Sequence, residues 1–64
     1  MLENKLREIR KSKGLMQAEL AKKIGISTMS YQRYEKGKRV PSVNHAILIA
    51  EALNSTVEEL FKKE

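Results

Sequence analysis

Four side chains that can contact the edges of nucleic-acid bases lie within one short segment. Thr28, Met29, Gln32 and Arg33 follow the 3.6-residue period of a helix, so they share one face of any helix that spans the segment. Arg can pair with guanine and Gln with adenine, while Thr and Met methyl groups can contact the methyl of thymine. Most exposed Arg and Gln contact only water. Whether these four side chains contact bases therefore depends on the secondary-structure elements around them.

A pair of helices joined by a very short turn is predicted around this segment. Apolar spacing predicts a helix over 17–24, and Gly25 ends it because glycine readily takes the left-handed conformation. Ser27 can cap a further helix from Thr28 to about Lys36. Two helices joined by so short a glycine-containing turn are typical of a helix-turn-helix unit.

The two predicted helices also have apolar faces. The stripe of the first consists of Leu20, Ala21 and Ile24. On the second, Tyr31 and Tyr34 lie opposite the four candidate base-contacting residues, so we expect the two rings to pack inward. The base-contacting face must then point outward, towards solvent or DNA.

Helical spacing predicts another helix at the start of the chain, closed by Gly14. The residues at this spacing are Leu2, Leu6, Ile9 and Lys13. Leu6 and Ile9 are expected to face the core, whereas Arg7 and Lys11 face water.

Two more helices are predicted after Pro41. Ser42 caps the first of them, whose buried face is predicted to hold Ala46, Ile49, Ala50 and Leu53. Thr56 and Glu59 form a capping box that opens the last helix, with an apolar side made of Val57, Leu60 and Phe61. No alternating pattern predicts a strand. The predicted fold class is therefore all-α, with five short helices.

Length, charge and composition restrict the function classes. The chain is long enough for one small core, so residues 1–64 are predicted to form a single domain with the helix-turn-helix at about 17–36. Residues 1–39 hold eleven basic and four acidic side chains, and residues 40–64 hold two and four, so only the first part is suited to a polyanion. The absence of cysteine and the single His45 argue against disulfides and ordinary zinc sites. We expect no cofactor and no small-molecule ligand.

The sequence predicts neither a signal peptide nor a membrane span. The first eleven residues are charged throughout, and the longest apolar run, Ala46 to Ala50, is too short to cross a bilayer. We therefore expect a cytoplasmic protein that does not bind membranes.

The run from residue 17 to residue 42 resembles the helix-turn-helix of the Xre family, which includes phage Cro and phage repressors and has the lambda-repressor-like fold. The matching positions are Gln17, Glu19, Leu20, Ala21, Gly25, Ser27, Tyr34, Glu35, Gly37, Lys38, Pro41 and Ser42. The resemblance extends outward to Leu6, Arg7, Arg10, Ile49, Ala50, Leu53, Glu59, Leu60 and Phe61.

This resemblance implies roles for individual residues. It assigns the base contacts to Thr28, Met29, Gln32 and Arg33. It also implies a phosphate contact by Gln17 and a buried ion pair between Arg10 and Glu35. With the basic loop and its neighbours included, the predicted phosphate contacts are Gln17, Ser27, Lys36, Lys38, Arg39 and Asn44.

Two positions depart from the family pattern. Met16 stands where the family usually has Thr or Ser to cap the second helix. Leu48, where the family is commonly polar, joins Ile47 in making the fourth helix apolar nearly all round, and such helices are usually buried. Contact with the fifth helix and a subunit interface would both explain this. We favour an interface, with Ile47, Leu48, Val57 and Phe61 as its candidate residues.

The expected function is sequence-specific binding of double-stranded DNA by a transcriptional regulator. A repressor that acts as a homodimer on a two-fold symmetric operator is favoured, with half-sites about 34–36 Å apart. The alternative is an antitoxin-like or other protein-interaction module that also binds DNA. A membrane-surface peptide is disfavoured because the apolar residues form several short stripes. The chain offers no set of residues for a nucleophile, base or metal, so we do not expect an enzyme.

Overall fold

Five helices form within residues 2–63, the part of the chain described by the computed structural model, and side chains are described for residues 5–61. A short strand β1 (Leu2–Asn4) precedes them and a short strand β2 (Phe61–Lys63) follows them. The helices are α1 (Leu6–Ser12), α2 (Gln17–Ile24), α3 (Thr28–Glu35), α4 (Val43–Ala52) and α5 (Val57–Leu60). The predicted all-α class with five helices is confirmed. No helix in this region is long and apolar enough to span a bilayer.

The predicted caps form at the starts of α3, α4 and α5. Ser27 accepts a hydrogen bond from the Ser30 amide at 3.1 Å, and Ser42 accepts one from the His45 amide at 3.2 Å. Thr56 forms a reciprocal capping box with Glu59 at the start of α5. Each hydroxyl satisfies a backbone donor that has no partner inside its helix, which fixes where the helix begins.

The turn between α2 and α3 is as tight as the sequence predicts. Gly25 has a φ of +77°, a conformation that side chains with a Cβ rarely adopt. The Ile26 amide then bonds back to the Ala21 carbonyl at 3.0 Å, and Ser27 already caps α3. Three residues therefore redirect the chain from one helix to the next.

All five helices contribute to one hydrophobic core. Its largest fully buried side chains are Leu6, Leu20, Tyr31, Ile49, Leu53 and Leu60. The predicted inward faces of α2 and α4 are buried, as are both tyrosines of α3. Ile9 packs against this cluster from α1, while Arg7 and Lys11 are exposed as predicted. The core therefore fixes which face of each helix meets solvent.

The two strands correct the sequence-based prediction at both ends of the chain. Leu2 was expected to belong to the first helix and Phe61 to the last, yet β1 and β2 pair antiparallel, with Asn4 opposite Phe61. The Lys5 amide donates to the Leu60 carbonyl at 2.8 Å. Because α5 is a single turn, pairing with β1 provides backbone partners that a longer helix would otherwise supply. The prediction that the chain lacks strands was wrong.

Two features of helix α4 bear on its prediction. Ile47 and Leu48 remain 46% and 40% exposed in the single chain, so contact with α5 does not bury them. His45, expected to be a surface residue, is half-buried, and its Nδ1 lies 2.8 Å from the Tyr34 hydroxyl. This hydrogen bond ties the start of α4 to the end of α3, and the sequence pattern did not predict it.

Candidate nucleic-acid interface

Helix α3 presents the predicted base-contacting residues on its outer face. Met29 is 62% exposed and Arg33 is exposed, while Thr28 and Gln32 are half-buried. The Arg33 Nη2 atom lies 3.7 Å from the Met29 sulfur. Burial of the two tyrosines on the opposite face holds these four residues outward. The four candidate residues therefore lie on the side of α3 that faces away from the core.

Gln17, the first residue of α2, contacts α3 directly. Its Oε1 accepts a hydrogen bond from Gln32 Nε2 at 3.0 Å, and its Nε2 donates to Glu35 Oε1 at 3.1 Å. The candidate phosphate-binding amide and one candidate base-reading amide therefore touch each other. Residue spacing did not predict this contact, which depends on side-chain conformations on two helices.

Arg10 and Glu35, the implied ion pair, lie in contact with little access to solvent. Arg10 Nε is 2.7 Å from Glu35 Oε2, and the two side chains are only 8% and 4% exposed. Arg10 Nη1 also donates to the Leu15 carbonyl at 2.8 Å. The pair therefore joins α1, the α1–α2 connection and the end of α3.

The environment of this pair shifts three ionisation equilibria. Burial alone would raise the pKa of the Glu35 carboxyl, but hydrogen bonds, including those from Arg10 and Gln17, outweigh it and hold the pKa below its ordinary value. The hydrogen bond to Glu35 raises the pKa of Arg10. Burial, reinforced by the nearby Glu35 carboxylate, raises the pKa of the Tyr31 hydroxyl. Both members of the ion pair are therefore charged at neutral pH.

The remaining predicted phosphate contacts surround α3. Lys36, Lys38 and Arg39 are exposed directly after the helix, and Asn44 is exposed in the first turn of α4. The Ser27 hydroxyl accepts from the Ser30 amide and donates to the Ser30 hydroxyl at 2.9 Å. That hydroxyl is therefore already engaged in capping α3.

A polar cleft beside the ion pair contains one basic residue that sequence reasoning missed. Its lining comprises Arg7, Arg10, Gln17, Glu35 and Lys36. Arg7 was expected only to face water, yet it borders the same cleft as two predicted phosphate contacts. The available signal was its position three residues before Arg10, which places both on one side of α1.

The predicted interface residues separate into two sets. Ile47, Val57 and Phe61 line one apolar groove of about 260 Å³, together with Val40, Pro41, Val43 and Ala46. Leu48 is exposed but does not line this groove. The structure therefore brings three of the four candidates together.

These features define a helix-turn-helix domain of the DNA-binding type. A family model described as helix-turn-helix matches residues 6–60, and the chain belongs to this family in its Xre type, which includes phage repressors. The family consists of DNA-binding transcriptional regulators and is not enzymatic.

Three similar proteins support this assignment. The chain is 37% identical over 59 residues to a cryptic phage CTXphi transcriptional repressor of Vibrio cholerae, covering 92% of this chain but only 53% of that protein. It is 40% identical over 60 residues to an uncharacterized helix-turn-helix transcriptional regulator of Archaeoglobus fulgidus, covering 94% and 86%. The solved restriction-modification controller protein C.AhdI of Aeromonas hydrophila matches with a TM-score of 0.80 and 38% identity, covering 88% and 85%.

Proposed function

We propose that this chain binds a specific double-stranded DNA sequence with α3 in the major groove, using Thr28, Met29, Gln32 and Arg33 as base contacts. The observation that carries the proposal is the outward-facing side of α3, held in place by two buried tyrosines and followed by a basic loop. Phosphate contacts position a recognition helix, and the side chains on its outer face specify the sequence.

The phosphate contacts are proposed to come from both ends of the helix-turn-helix. Gln17 lies at the start of α2, while Lys36, Lys38 and Arg39 follow α3. Ser27 and Asn44 complete the proposed set. Ser27 contributes through its backbone, because its hydroxyl is engaged by the cap. Each neutralised phosphate releases bound counterions, so affinity should fall steeply as salt rises.

The chain is proposed to act as a homodimer on an operator with two-fold symmetry. The exposed apolar side chains of α4 and the groove beside them support this, because an apolar surface gains free energy when a partner removes it from water. In such a dimer the two copies of α3 would meet successive major grooves about 34–36 Å apart.

Repression by occupation of promoter DNA is the proposed outcome. The similar phage protein of Vibrio cholerae is described as a transcriptional repressor, which supports this choice. Action in the cytoplasm is part of this proposal. The site residues contribute contacts and no reaction chemistry, so the proposed role does not include catalysis.

Selection from a randomised duplex pool tests this function. We expect the wild type to enrich an inverted repeat at two salt concentrations. Arg33→Ala should relax one symmetric position at a cost of about 1–3 kcal/mol, because it removes a base contact. Lys11→Ala is the matched control, since it removes an exposed positive charge from α1 and should keep the wild-type preference. If the wild type enriches no sequence, the recognition-helix proposal is wrong.

A further inference from the structure

Three side chains form a continuous hydrogen-bonded series from the core to the outer face of α3. Glu35 accepts from Gln17 at 3.1 Å, and Gln17 accepts from Gln32 at 3.0 Å. Arg10 holds the carboxylate from its other side at 2.7 Å. We call Glu35, Gln17 and Gln32 the amide relay. It connects a buried charge to a proposed base-contacting residue.

The carboxylate fixes the direction of every hydrogen bond in the relay. An ionised carboxylate can only accept, so Gln17 must turn its NH₂ group towards Glu35. The Gln17 carbonyl oxygen, which also only accepts, then faces α3. Gln32 must therefore turn its own NH₂ group towards Gln17, and the alternative orientation of either amide would place two acceptors together.

This direction determines what Gln32 offers to a base. One of its two N–H protons is used by Gln17, which leaves the Oε1 acceptor and one N–H donor. In the major groove adenine presents an N6 donor beside the N7 acceptor, which complements this pair. Guanine presents two acceptors, O6 and N7, and one of them would face the Gln32 oxygen.

We propose that Glu35 is a positioning residue for sequence recognition and that, acting through Gln17, it commits Gln32 to adenine over guanine. This inference rests on the proposed function. It gives the ion pair a role beyond stability, because a residue that contacts no DNA then sets a base preference. Gln17 keeps one N–H proton for a phosphate, so contact with the DNA backbone and base reading share one amide.

The first test compares two methionine substitutions that each remove one proposed phosphate contact. Gln17→Met interrupts the relay but retains the Arg10–Glu35 pair, whereas Lys38→Met leaves the relay untouched. Binding is measured on paired operators that carry adenine or guanine at the position read by Gln32. The wild type should favour adenine by roughly 5- to 150-fold, the range for a bidentate contact. Gln17→Met should lose most of this preference and Lys38→Met should retain it, although both bind more weakly.

Gln32→Met serves as the reference for complete loss of the amide contact. If Gln17→Met keeps the wild-type preference while Gln32→Met loses it, Gln32 reads the base without the relay and the inference is wrong. If Gln32→Met also keeps the preference, Gln32 does not contact that base, and both the inference and the proposed role of Gln32 are wrong. If the wild type selects no operator at all, the proposed function itself fails.

Glu35→Gln tests the direction of the relay without touching DNA. A glutamine at this position can donate as well as accept, so Gln17 and Gln32 become free to turn. The adenine preference should fall while the remaining positions of the operator keep theirs. A purely structural role would lower affinity equally for all sequences. Circular dichroism establishes that the variant is folded, and Gln17→Met decides the matter if it is not.

Discussion

Two exposed faces of this domain differ in chemical character, since one is polar and cationic and the other is apolar. The α2–α3 face carries polar and cationic groups. Two of its side chains, Gln17 and Gln32, are connected by hydrogen bonds to a buried ion pair, and the face belongs to the part of the chain with the positive charge excess. The α4 face exposes Ile47 and Leu48 beside an apolar groove. A cationic face suits phosphates, whereas an apolar face suits a surface that leaves water. DNA contact and self-association should therefore be separable by mutation.

Breaking the Arg10–Glu35 ion pair, which lies next to the α2–α3 face, should produce the largest loss of stability. Glu35→Ala leaves the buried Arg10 guanidinium without its carboxylate, and such losses cost about 3–5 kcal/mol of unfolding free energy. Glu51→Ala, on an exposed position of α4, should change stability by at most about 0.5 kcal/mol. Urea denaturation measures both. Equal losses in the two variants would show that the pair contributes no more than a surface charge.

A negative charge placed on one face at a time should separate dimer formation from DNA binding. Ile47→Glu should abolish the dimer, because it places a charge in the proposed apolar contact, yet each chain should still prefer the same half-site bases. Met29→Glu is the matched control, since it places the same charge on an exposed apolar side chain of α3; Met29 is 62% exposed and Ile47 is 46% exposed. It should retain the dimer and lose DNA binding. Sedimentation equilibrium and half-site binding distinguish them, and loss of both activities in both variants would contradict separate faces.

Acid should reduce the stability that ionised Glu35 gives to the folded domain, without any mutation. The pKa of Glu35 in the folded chain lies below its ordinary value of 4.5, because hydrogen bonds outweigh the opposing effect of burial. The unfolded chain therefore takes up the proton first. The stabilisation is fully present above about pH 4.5 and is lost as the pH falls through the folded pKa.

Two glutamine variants test this dependence. The pKa of Glu59 is also lowered, chiefly by the hydrogen bond from the Thr56 backbone, but solvent screens that exposed carboxyl. We expect Glu35→Gln to flatten the acid loss of stability more than Glu59→Gln does. Denaturation midpoints measured from pH 7 to pH 3 compare them. Similar curves for Glu35→Gln and the wild type would show that this carboxyl does not control acid unfolding.

The sequence predicted most of the fold because the responsible signals are local. Ser27, Ser42 and Thr56 mark helix starts within three residues of the amides they bind, and apolar spacing identified the buried faces. The paired ends of the chain were missed for the opposite reason. Asn4 and Phe61 are far apart in sequence, and three residues are too few to display an alternating pattern.

The candidate site was predictable in residue type but not in its connections. Family resemblance named Gln17, Gln32 and Glu35 separately, while their hydrogen bonds depend on how α2 and α3 pack. The residues in these bonds lie 15 and 18 positions apart. The place of Arg7 in the polar cleft likewise depends on how α1 packs against α3. These contacts join residues that are distant in sequence, so residue spacing alone could not predict them.

The smallest expected effect concerns the starts of α2 and α3, which are capped differently. Ser27 accepts from the Ser30 amide, whereas Met16 offers only a thioether, a weak acceptor. The Glu19 carboxylate already binds the Met16 amide at 2.9 Å, so a hydroxyl at residue 16 would complete a capping box. Met16→Thr should therefore add about 1 kcal/mol to the unfolding free energy of the DNA-free domain.

Thermal unfolding of Met16→Thr and of the opposite variant, Ser27→Ala, measures the two caps. Ser27→Ala should lose about as much as Met16→Thr gains, since both change one capping hydrogen bond. Met16→Thr should keep the wild-type operator preference, because it alters no proposed base contact. An unchanged midpoint would mean that the start of α2 is already satisfied without a hydroxyl. The free amides of α2 would then not be available to a DNA phosphate, and the phosphate contact at this end would depend on the Gln17 side chain.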